Sequence, residues 1–214
     1  MSRDACLLIA LSLLVSVGCG NQRQDKIEEI EKPPKVSSRD RKFAGVFREL
    51  DGLWRGKFYV YADTRGQISG PSQPTEIDEE TLQRLPLRLE TAIDVEQRYR
   101  SETPYFQRVT IRDTYRSPDG RSRTVESHGV NKVQNGRLWC VIVKPDETVV
   151  HQGTVPAPHT IVWRRKIREP LKVEYFKETV LQDTYTIVGW GYYGKDRVSL
   201  SPRTWFLGKY RRVK

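Results

Sequence analysis

From residue 87 onward, apolar and polar side chains alternate with a period of two, the repeat of a strand with one wet face. Leu87, Leu89, Thr91, Ile93, Val95, Gln97 and Tyr99 interleave with Arg88, Glu90, Asp94, Glu96 and Arg98. Tyr105, Val109, Ile111 and Tyr115 do the same with Arg108, Thr110, Arg112 and Arg116. Turn chemistry punctuates the pattern: Ser117-Pro118-Asp119-Gly120 makes a turn, and Asn135-Gly136 is a strong hairpin signal. Residues 138–143 are apolar on both faces, and further strands read over 160–167, 171–181, 184–193 and 205–213. Upstream, a strand covers 53–62. Before it, Phe43, Val46, Phe47 and Leu50 stand at helical spacing and predict a short amphipathic helix over 42–50. Roughly eight to ten strands joined by short turns predict an all-β antiparallel barrel, with a sandwich as the alternative. The stretch 63–86 is rich in Gly, Pro and Ser. Thr75 and Asp78 have capping-box spacing for a brief helix, and we expect this stretch to form a mobile flap at the barrel mouth.

The chain before this domain reads differently. Arg3 and Asp4 precede an apolar run from Ala5 to Val17, too short to span a bilayer, and the chain turns polar after Ser16-Val17-Gly18-Cys19. This resembles the lipobox of bacterial lipoproteins, with Cys19 at the lipidated position and Gly18 as the small residue before it. Ser16 stands where that family usually carries Leu. The resemblance implies a signal peptide over 1–18, cleavage before Cys19, and acyl chains that anchor the mature protein. It also implies a cell-envelope location. Gly20 follows the cysteine where Asp would imply inner-membrane retention, so in a Gram-negative cell the periplasmic face of the outer membrane is expected. Residues 19–41 are polar, contain Pro33-Pro34, and read as a tether of about 70 Å when extended at ~3.3 Å per residue. The domain proper is then 42–214.

A second resemblance concerns that domain. Gly52-Leu53-Trp54 places a Gly-x-Trp at the start of the first strand, after a short helix, and the last strand ends in Gly208-Lys209-Tyr210-Arg211-Arg212. This looks like the lipocalin and wider calycin arrangement. There the first-strand Trp packs at the closed end under an Arg from the last strand. Gly52 and Trp54 match the Gly and Trp; Arg211 or Arg212 matches the Arg. The second and third lipocalin motifs are absent, so the resemblance implies a distant calycin-like barrel.

In such a barrel the less charged strand faces point inward. They carry Tyr99, Gln107, Tyr115, Arg165, Tyr175 and Tyr185, a lining that suits an amphiphilic small molecule. The alternative is that these side chains fill a solid core. The formal charge of +10 points to an anionic neighbour; for an exported protein that means lipid headgroups or other envelope components rather than nucleic acid. Arg98, Arg108 and Arg112 are expected to share an outer basic patch, through which a structural or assembly lipoprotein would act. His128, His151 and His159 lack metal-ligand spacing, and His151 and His159 are expected at a strand-end rim. Cys140 reads as a buried, inert thiol. No nucleophile elbow, zinc-protease helix or phosphate loop occurs in the sequence. We therefore expect a non-catalytic protein without cofactor or metal, bound to the membrane by its lipid.

Overall fold

The computed structural model describes residues 30–65, 77–168, 172–193 and 204–214; the signal peptide expected over 1–18 and Cys19 lie outside them. Ten strands follow in order: β1 (Gly52–Asp63), β2 (Leu87–Thr103), β3 (Phe106–Arg116), β4 (Ser122–Gln134), β5 (Arg137–Val143), β6 (Thr148–Ala157), β7 (Thr160–Ile167), β8 (Lys172–Leu181), β9 (Thr184–Tyr193) and β10 (Thr204–Val213). Each pairs antiparallel with its neighbour in sequence, and β1 pairs with β10 to close the barrel. Closure removes the exposed edges that an open sheet of this size would leave. The short turns fit the sequence. Asn135 and Gly136 both take positive φ, as a two-residue hairpin loop needs, and His159 and Gln182 adopt the same region at two further turns.

Cross-strand partners share a face, so the registers sort the side chains into an inside and an outside. One inward layer runs Val60, Phe206, Gly189, Phe176, Trp163, Gly153 and Leu138. A Cβ on Gly153 would sit 2.4 Å from the Trp163 ring, so the absent side chain makes room for that indole. The alternation read in β2 is not continuous. A bulge pairs Val60 with Thr91 but Tyr61 with Leu89, so Thr91 onward keeps its inward set while Leu87 and Leu89 turn outward. Leu89 is exposed.

The segment before β1 is not one α-helix. It forms two 3-10 turns, Ser38–Phe43 and Arg48–Leu50. Gly45 between them has a φ of 76°, which interrupts helical geometry. The amphipathic spacing still does its work: Phe43, Val46, Phe47 and Leu50 all pack into the main core with Trp54, Val109, Trp163 and Tyr185. The turns thus plug one end of the barrel. Buried Asp40 fastens them, accepting hydrogen bonds from Ser37 N at 2.7 Å and from Gly136 N of the β4–β5 hairpin at 2.5 Å.

The connection from β1 to β2 also differs from expectation. Its described part carries a short helix, α1 (Glu79–Gln83), capped by Asp78, whose side chain accepts from Thr81 N. Ile77 and Leu82 are buried against Val162, Tyr175, Val188, Trp190, Trp205 and Leu207. Those are outward positions, so α1 covers the outer wall over β7–β10 rather than the mouth. The physical reason is an aromatic outer face that water would otherwise wet. A second outer cluster, Phe106, Val130 and Val141, is met by Ile30, and Arg108 bonds the Glu31 carbonyl at 3.2 Å. The chain is therefore docked on the barrel from residue 30, earlier than the expected tether end at 41.

Candidate functional site

At the plugged end, Gly52 takes a φ of 118°, and a Cβ there would lie 3.0 Å from the Arg212 guanidinium. That space admits Arg212, whose guanidinium carbon stands 4.1 Å above the Trp54 ring. Arg212 also donates to the backbone carbonyls of Asp51 and, at 2.9 Å, Glu49. Trp54 is fully buried and its indole N–H donates to the Leu50 carbonyl at 2.6 Å. Of the two arginines matched to the closing position, Arg212 therefore occupies it. Arg211 lies one residue out of phase, exposed, bonded to Thr184 Oγ1.

The six side chains expected to line a ligand site separate into different environments. Tyr99 and Tyr185 meet inside the barrel with hydroxyls 3.3 Å apart, and Tyr99 donates to Gln97 at 2.8 Å. Gln107 is inside but committed to the plug: its amide donates to Phe47 O and Asp51 Oδ1, and its oxygen accepts from Asn131. Arg165 is inside and ion-paired with Glu147 at 3.0 Å and Glu174 at 3.4 Å. Tyr115 sits on an inward position near the far end of β3 and remains exposed. Tyr175 faces outward, stacked on Trp190 with ring centroids 5.9 Å apart beneath α1.

The misplacement of Tyr175 has a clear cause. Choosing the less charged face of β8 as the inner one fails because this strand turns Glu174 and Glu178 inward. Glu174 accepts from Tyr193 at 2.9 Å and meets His151 at 3.1 Å. Burial alone would raise its pKa, but the His151 hydrogen bond and charge, with Arg165 and Tyr193, hold it at about 2. His151 is thus inside the barrel, not on a rim, and its ring lies against Phe176. His159 does lie at a turn, paired with exposed Glu49 at 2.7 Å. Among the described residues, no group of three or more His, Cys, Asp or Glu is placed to hold a metal ion.

Glu178 is different because no cation among the described residues compensates it. Desolvation raises its carboxyl to about 7, against a smaller opposing effect of Trp163 and Tyr185. The Trp163 indole N–H is close enough to favour the carboxylate but makes no hydrogen bond of normal geometry. Burial also pushes the Cys140 thiol, and the Tyr99, Tyr185 and Tyr210 hydroxyls, far above their ordinary values. These groups stay neutral.

Not all of the inner wall is sealed. Phe58, Val60, Ile111, Cys140 and Phe176 pack on the core yet remain only partly buried. Free space therefore adjoins them. A cleft of about 200 Å3 also opens at the plugged end, between the plug and strands β6–β8, lined by residues that include Leu50, His159, Ile161, Glu178 and Val180. The β6–β7 register shifts between Thr154 and Ala157, leaving Val155 exposed at its edge.

No family model matches this chain. No curated protein matches it either. Among solved structures, that of Rv2717c from M. tuberculosis aligns with a TM-score of 0.50 at 12% identity, covering 84% of this chain and 100% of the other. A redesigned β-barrel aligns at a TM-score of 0.33 and 11% identity, over 80% of this chain and 97% of the other. The likeness to Rv2717c is one of fold: a closed antiparallel β-barrel.

Proposed function

We propose that this protein is a lipid-anchored envelope lipoprotein whose barrel binds an amphiphilic small molecule without chemistry. The observation that carries the binding reading is the partly buried inner wall: Phe58, Val60, Ile111, Cys140 and Phe176 present apolar surface beside a few hydrogen-bonding groups. That mixture is typical of pockets for small molecules. The inner polar groups support binding over catalysis, because Glu174, His151 and Arg165 satisfy one another. The anchor rests on the lipobox ending at Cys19. Outer-membrane placement rests on Gly20.

The alternative, action through a basic outer surface, draws on the net charge of +10. Locally that charge is balanced: Arg108 pairs with Glu102 and Arg112 with Glu126. We therefore favour the lumen. Native mass spectrometry of the chain purified from its host is expected to show a bound amphiphile that organic extraction releases. Recovery of only the bare mass, together with no uptake of a fluorescent amphiphile, would overturn the reading.

A further inference from the structure

The cleft at the plugged end has a chemistry of its own. Its described lining includes two carboxylates, Glu49 and Glu178, one histidine, and no lysine or arginine. In a chain of net charge +10 this is a locally acidic pocket. Glu49 is already answered by His159 across the rim. Glu178 is not answered by any cation among the described residues.

Glu178 points inward, level with Ile187 and Ile161 on its neighbouring strands. A carboxylate offers about four lone-pair sites. The donors beside this one are the Tyr185 hydroxyl and the Trp163 indole N–H, the latter on a side chain only 2% exposed and without a partner of its own. Glu178 lines the cleft together with the apolar side chains of Leu50, Ile161 and Val180. One acceptor among apolar walls selects a ligand with a donor head and an apolar stem. A carboxylate with no compensating cation among the described residues favours a cationic head over a neutral one. The slot is smaller than the ~300 Å3 typical of drug-sized sites, so the stem is short or continues into the lumen.

We propose that the cleft between the 3-10 plug and β6–β8 is a binding site for an organic ammonium, its head on Glu178 and its stem against Leu50, Ile161 and Val180. This deepens the luminal reading above and rests on it for the stem. It also places ligand access at the plugged end, beside Val155, rather than at the opposite mouth.

Calorimetry on the full chain at pH 8 with octylammonium, octanoate and 1-octanol tests the assignment. Octylammonium is expected to bind at least ten-fold more tightly than octanoate, with octanol between them. Glu178→Gln removes the charge with nearly the same shape and is expected to erase the preference. Because a buried change can disturb folding, Val155→Arg gives an independent arm at an exposed position. A cation at the cleft edge should weaken octylammonium several-fold and leave octanoate unchanged or tighter. Equal affinities for the three chains, unaltered by either substitution, overturn the head-group assignment and leave the luminal reading standing. No binding of any of them overturns both.

Discussion

At the scale of single residues, two inward glutamates on β8 show how one strand position can help or oppose folding according to its partners. Glu174 is held at about 2, below its unfolded value. Its contribution is present above pH 4.5 and lost as pH falls towards 2. Glu178, raised to about 7, runs the other way: its contribution is full below pH 4.5 and lost as pH rises through 7. A shift of that size corresponds to about 3 kcal/mol at most. Glu178→Gln is therefore expected to leave urea stability unchanged at pH 4.5 and to raise it by about 1–3 kcal/mol at pH 9. Coincident denaturation curves for the two proteins at both pH values would contradict the assignment. The closing arginine makes a second residue-scale test. Arg212→Ala removes a cation–π contact and two charge-assisted bonds to carbonyls, and should cost about 2–3 kcal/mol. Arg211→Ala, at an exposed position, should stay within about 0.5 kcal/mol. Equal losses would mean that position alone does not decide the role.

At the scale of elements, what was legible in the sequence followed from local rules, and what was not followed from contacts between distant segments. Strand positions, hairpin turns and the Gly52-Trp54 start of β1 are written in period-two alternation and turn chemistry. Which face points inward is not, where both faces of a strand are mixed. On β8 the charged residues go in because His151, Arg165 and Tyr193 receive Glu174, and Tyr175 goes out because α1 covers it. No reading of β8 alone contains those partners. The bulge opposite Val60 and Tyr61 likewise inverted Leu87 and Leu89, with no glycine or proline between Leu89 and Thr91 to mark it. The helix α1 supplies the prediction at this scale. If it is a structural cover, Leu82→Ala should destabilise the barrel by about 2–4 kcal/mol and leave the association rate of octylammonium unaltered. A lid would give the reverse pattern, faster association with little change in stability.

At the scale of the whole molecule, the docking of Ile30 changes the geometry of the proposed anchor. From Cys19 to Ile30 the chain has eleven steps, so at ~3.3 Å each a lipid on Cys19 would hold the barrel within about 36 Å, half the reach of a tether running to residue 41. The side nearest that anchor would be the outer face of β3–β5, where Ile30 meets Phe106, Val130 and Val141. Two or three acyl chains on Cys19 would make that attachment stable, since each buried methylene contributes roughly 0.8 kcal/mol. In cells fed a clickable fatty acid, the wild-type chain is expected to label and to sediment with membranes, and Cys19→Ala to lose the label. Ile30→Asp should keep the label but release the leading segment, letting a crosslinker on Cys19-proximal lipid reach residues away from β3–β5. Equal labelling of wild type and Cys19→Ala would refute the lipid anchor. Unchanged crosslinks in Ile30→Asp would leave the anchor in place but show that the barrel is oriented by something other than this contact.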